Sequence, residues 1–240
     1  VKKCLPLVLL AAAISAVILT GGYLLYRRSG LAPISSAART ARVLTWLNAP
    51  QDHRDWAIQA GTICGPAPFR LPTDGLVGFL WDDSFRPGHR HQGIDIFGGG
   101  SPGETPVIAV YDGYLSRPPD WKSTVIVRIP SDPLHPGRQI WTYYTHMASD
   151  EGESLVSPDF PPGTSEVFVQ AGTRLGAQGN YSGNAGNPVG VHLHFSIVLD
   201  DGSGKYRNEL DIRNTVDPSP YFNLLLNAHQ NPETPVLCLD

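Results

Sequence analysis

Five residues in three short patterns have the types and spacing that chemistry needs. The first pattern is His91-Gln92-Gly93-Ile94-Asp95, an imidazole and a carboxylate four apart around a glycine, leading into an apolar run. The second is Val191-His192-Leu193-His194-Phe195. Side chains of a strand alternate between its faces, so His192 and His194 share one face while Leu193 and Phe195 enter a core from the other. The third, Thr142-Tyr143-Tyr144-Thr145-His146-Met147, reads as a strand ending in a histidine. Each pattern alone has an ordinary structural reading, a buried histidine making one hydrogen bond. Together they supply one carboxylate and several neutral imidazoles, a donor set that suits zinc. A catalytic zinc typically takes three protein ligands and keeps a fourth position open. Histidines beyond the three ligands would serve proton transfer or oxyanion stabilisation.

These residues need short, stiff elements to hold them. The chain carries 25 Gly and 22 Pro among 240 residues with only 17% charged, a composition of turns and short strands rather than long helices. Clusters such as GPAPFRLPTDG, GGGSPGETP and PSDPLHPG mark turns. Between the turn clusters, Val107–Tyr111, Thr124–Ile129, Gln139–Tyr144, Glu166–Val169 and Val191–Leu199 have strand character. This rhythm predicts an all-β fold, a compact antiparallel β-sandwich or barrel. Two short helices are expected, one within Ala37–Ala49 and one at Tyr221–Asn227.

With those elements in place, the motifs resemble the LytM/lysostaphin-type zinc endopeptidases that cut peptide bonds in bacterial peptidoglycan. The resemblance rests on HQGIDIF at 91–97, PVIAVYDGYLSR at 106–117, YYTHM at 143–147, AGTRLGAQGNYSG at 171–183, GVHLHFSIV at 190–198 and VDPSPYFNLL at 216–225. It implies that His91, Asp95 and His194 bind one Zn2+, and that His146 and His192 form the catalytic pair, with either one as general base. It also implies an antiparallel β-sheet fold with a groove over the zinc site and a peptidoglycan peptide as substrate. Some domains similar to these lack ligands and act as binding or activating modules, so a non-enzymatic wall-binding protein is the alternative. The complete set of five residues favours an enzyme. The stretch between Met147 and Ala171 is longer than usual there; with five acidic residues among Pro and Gly, it reads as a mobile surface loop. His89 reads as peripheral, because position 93 is Gly and only His91 has the carboxylate spacing. His53, His135 and His229 read as solvated.

The N-terminal region has a different character. Lys2, Lys3, Arg27 and Arg28 bracket an uncharged run from Cys4 to Tyr26, giving +4 over residues 1–28; the remaining 14 basic and 22 acidic residues leave −8. An acidic remainder excludes nucleic acid as a partner. The run is long enough for a hydrocarbon core of about 30 Å, and the alternative is a cleaved signal peptide. The expectation is a membrane anchor at 1–28, a juxtamembrane stalk at 29–64, a metallopeptidase domain at 65–227 and a tail at 228–240. This places the protein at the cell membrane in a single pass, with the catalytic domain on the extracytoplasmic side. Cys64 and Cys238 either bridge or stand as two unrelated thiols.

Overall fold

The computed structural model describes residues 15, 20–21, 37–84 and 88–238. An α-helix, α1 (Ala37–Asn48), and a 3-10 turn over Pro50–Trp56 precede eleven strands. The strands are β1 (Ala57–Ile58), β2 (Gly75–Phe79), β3 (Ile94–Phe97), β4 (Pro106–Ile108), β5 (Gly113–Ser116), β6 (Val125–Ile129), β7 (Ile140–Thr145), β8 (Val167–Val169), β9 (Arg174–Ala177), β10 (Leu193–Leu199) and β11 (Thr215–Val216). A single helical turn, α2 (Ser219–Phe222), follows. The strands form a nine-stranded sheet in the order β1-β2-β3-β10-β7-β6-β5-β8, with β11 on β10, and a separate β4–β9 pair. Every strand pair is antiparallel. Mostly antiparallel β structure is therefore what the turn-and-strand rhythm predicts.

Alternation along β10 shows how the fold is held. Leu193, Phe195 and Ile197 enter the main core with Ile96, Val127, Tyr144 and Phe222, which leaves His194 and Ser196 to the opposite face. Edge-to-face ring contacts of Phe195 with Tyr144 (5.2 Å) and Phe222 (5.4 Å) lock the strand over that core. Gly93 allows β10 to approach the first motif: a Cβ there would lie 2.1 Å from the Phe195 carbonyl oxygen. The glycine in the His-x-x-x-Asp pattern is thus a close-approach position.

Helix α1 packs onto the sheet. Val43 and Trp46 bury against Leu76 and Phe97, and the buried Arg39 guanidinium grips Asp83 through two 2.8 Å hydrogen bonds. Cys64 and Cys238 form a disulfide with Cα atoms 5.1 Å apart, joining positions 174 apart in sequence.

Two expectations are corrected. The segment between Met147 and Ala171 is packed rather than mobile. Its Val156 and Phe160 join the core, and the buried Arg117 side chain donates to the Phe160 carbonyl (2.9 Å) and Ser154 Oγ (2.8 Å). A buried guanidinium needs such acceptors, and they fix the segment. The expected single-pass membrane location is also not supported: among the described residues, no helix is long and apolar enough to cross a membrane. Most of the expected span at 4–26 lies outside the described residues.

Candidate metal and catalytic centre

Sheet register assembles the site. On β10, His194 is opposite Asp95 of β3 on one side and Thr145 of β7 on the other. Antiparallel pairing therefore puts the carboxylate, the imidazole and the chain end carrying His146 in one row. His146 itself turns off β7 with a positive φ of 70°. Gly179 makes room for that turn, since a Cβ there would lie 2.5 Å from the His146 carbonyl oxygen. His192 pairs with Gly179 just before β10 begins. All five predicted residues meet in one groove of about 700 Å³.

Three of them form a tight triangle. His91 Nε2 lies 3.1 Å from His194 Nδ1. Asp95 Oδ1 lies 3.2 Å from His91 Nε2 and 2.9 Å from His194 Nδ1. The outer ring nitrogens are occupied: His91 Nδ1 donates to the Leu80 carbonyl and His194 Nε2 to the Glu209 carboxylate, each at 2.9 Å. Both inner nitrogens consequently turn lone pairs toward the carboxylate. Three acceptors this close repel one another unless they share a cation. Tetrahedral zinc–nitrogen bonds of about 2.0–2.1 Å would place the donors roughly 3.3 Å apart, close to the observed edges. The buried set of His91, Asp95 and His194 can hold a metal ion.

Without a metal, a proton takes that place. Burial works against a charged His194, but its hydrogen bonds to Asp95 and Glu209 prevail and raise its pKa to about 10. Burial likewise opposes ionisation of Asp95, yet the neighbouring His91 and His192 and the hydrogen bonds from His194 and His91 hold its carboxyl well below the usual range.

His146 and His192 shift the opposite way from His194. His146 Nδ1 donates to the Tyr181 carbonyl and His192 Nδ1 to the Gly190 carbonyl, both at 2.6 Å. Their rings lie 4.4 Å apart, and His192 stacks on Phe97 at 5.0 Å. Burial first, then the nearby His192, lowers the His146 pKa to about 3. Burial also lowers His192, partly offset by Asp95, whose Oδ1 is 3.7 Å from His192 Nε2. Two neutral imidazoles therefore stand beside the donor triangle with Nε2 available, the arrangement general acid–base chemistry requires.

His89 lines the same groove, its ring 6.4 Å from that of His91, but it is not in the triangle. Glu209 is the residue that sequence reasoning missed. It lies fifteen residues beyond His194, after a turn-rich excursion, and accepts from both His194 and Ser196. No spacing signal marks it, because the contact depends on the path of that excursion.

No protein-family profile matches the chain, and no curated protein matches it. Solved structures do. One described as a candidate peptidase M23 from Pseudomonas aeruginosa aligns at 20% identity over 77% of this chain and 60% of its own, with a TM-score of 0.39. A candidate glycyl-glycine endopeptidase LytM from Ruminococcus gnavus aligns at 24% identity over 54% and 45%, with a TM-score of 0.35. The catalytic domain of the prophage-encoded M23 protein EnpA from Enterococcus faecalis aligns at 19% identity over 62% and 95%, with a TM-score of 0.36. The chain thus spans less than two thirds of the first two.

Proposed function

We propose that the chain is a zinc-dependent endopeptidase acting on peptide bonds of bacterial peptidoglycan, with His91, Asp95 and His194 as ligands and His146 and His192 as the catalytic pair. The observation that carries this reading is the donor triangle with edges of 2.9–3.2 Å beside two imidazoles kept neutral by burial. A bound zinc would polarise the scissile carbonyl and lower the pKa of a water molecule.

The protein's own groups do the rest. His146 is the more open of the pair to the groove, and its Nδ1–H is held by Tyr181. Its neutral Nε2 takes the proton from the attacking water. His192 is neutral at rest, and its Nε2 lies 3.7 Å from the Asp95 carboxylate, a charge that would stabilise the imidazolium once the proton released by the attacking water reaches it. That imidazolium donates to the oxyanion and then passes the proton to the leaving amine. The backbone carbonyls of Tyr181 and Gly190 fix both tautomers, so little reorganisation is needed during the reaction.

Digestion of purified peptidoglycan, with mass spectrometry of the released fragments, tests the reading. New amino termini from one defined peptide linkage are expected, together with about one zinc per chain by metal analysis. Intact peptidoglycan after incubation with zinc-loaded protein would sink it.

A further inference from the structure

The groove has two unlike walls. The sheet and the turns beside it supply the donor triangle, His146 and His192, while an apolar part of the lining comes largely from outside the sheet. Helix α1 contributes Val43, Leu44 and Leu47, joined by Phe79, Val189 and Leu210. Three of these are exposed: Leu44 at 57%, Leu210 at 74% and Val189 at 37%. An apolar surface beside convergent polar groups is the usual make-up of a ligand-binding pocket. Among the described residues, no Lys or Arg lines the groove, and its carboxylates are Asp95 and Glu209, both already held by histidines.

The apolar wall is also fixed relative to the donors. The Arg39–Asp83 pair ties α1 to the loop that carries His91, because the Asp83 carbonyl accepts the His91 backbone N–H at 2.8 Å. On its other side α1 packs on Phe97, the ring on which His192 stacks. The helix therefore has a set position against both halves of the site.

We infer that α1 and Leu210 form a specificity wall for an aliphatic side chain next to the scissile bond, so that the substrate is a peptide with an apolar or aliphatic-stemmed residue there and not a run of glycines. This rests on the peptidase reading. Glycine offers no side chain to cover exposed leucines such as Leu44 and Leu210, whereas a leucine or norleucine side chain would remove apolar surface of that wall from water.

The test pairs acetyl-pentaglycine amide with analogues in which single glycines are replaced by leucine or norleucine. With the zinc-loaded full chain, the best aliphatic analogue should exceed pentaglycine in kcat/KM by roughly tenfold or more. Leu44→Asp and Leu210→Asp should remove most of that preference, chiefly by raising KM for the aliphatic analogues. Both side chains are exposed, so folding is not at stake; Leu44→Ala with a thermal melt provides the check. Binding of the same peptides to the His146→Ala protein, followed by fluorescence, gives a second readout that needs no turnover. Equal cleavage of both peptides by the wild type would overturn the wall while leaving the peptidase reading intact. Leu44-dependent binding of aliphatic peptides without cleavage of any would do the reverse. Absence of both binding and cleavage would remove both.

Discussion

Histidines a few ångströms apart in one groove have pKa values moved in opposite directions: His194 upward, His146 and His192 downward. His91 and His194 face the Asp95 carboxylate, and His194, also bonded to Glu209, is raised to about 10. His146 and His192 have backbone carbonyls as their Nδ1 partners, and burial lowers both. All are inside the protein, so burial alone does not separate them. The difference lies in the charge of the partner: a carboxylate repays the desolvation of an imidazolium, whereas a carbonyl dipole repays too little of it. The cluster of His91, Asp95 and His194 can hold a cation, whereas burial favours the neutral form of His146 and His192.

The largest test of this division uses a substitution in each half. Asp95→Ala should abolish stoichiometric zinc binding and, with it, hydrolysis. His146→Ala should keep the metal and lose roughly 10²–10⁴-fold in kcat/KM. Metal analysis and peptide hydrolysis on the same preparations read both, and loss of zinc in the His146 variant would erase the boundary between the halves.

A smaller effect is expected at Glu209. Glu209→Gln keeps an acceptor for His194 Nε2–H but removes the charge, and it should weaken zinc by about 10–100-fold, the range for partners that orient metal ligands. Competition with a chelator measures this, and an unchanged affinity would show that Glu209 does not tune His194.

The pH dependence sharpens the contrast further. In metal-free protein, His194 holds a proton that zinc must displace. Zinc affinity should therefore rise by about tenfold per pH unit from near 6.5 toward 10. Stability should respond with opposite signs in the two halves. The raised pKa of His194 stabilises the metal-free fold below about 6.5, the unfolded value, and this is lost as pH rises through about 10. The lowered pKa of His146 leaves stability intact above about 6.5 and removes it as pH falls toward 3. Thermal melts of metal-free protein should peak near pH 6.5, and a Tm rising steadily from pH 7 to 10 would contradict the His194 assignment.

Much of this could be read locally. Strand alternation put His192 and His194 opposite Leu193 and Phe195, and β10 follows it. Most of the strong β runs appear within a residue or two, as at β6 and β7, and α1 lies where its apolar spacing placed it. Shorter strands such as β5 and β9 were not anticipated, since three or four residues carry too little periodicity. The packing of segment 148–170 is not legible in its own composition, which is polar, because its anchor, Arg117, lies outside it.

The residue types and the spacings His91-x-x-x-Asp95 and His192-x-His194 are local properties of the chain. They suffice to suggest a metal chemistry, because side-chain direction along a strand repeats every two residues; the choice of His91, Asp95 and His194 as its ligands is what the resemblance to LytM/lysostaphin-type peptidases implies. Three features had to wait for the packed molecule: the β3-β10-β7 row that brings Asp95, His194 and His146 together, the Glu209 contact, and the apolar wall of α1. Each joins segments far apart in sequence, and such contacts form only when burial of a shared core sets register and crossing geometry that no local pattern contains.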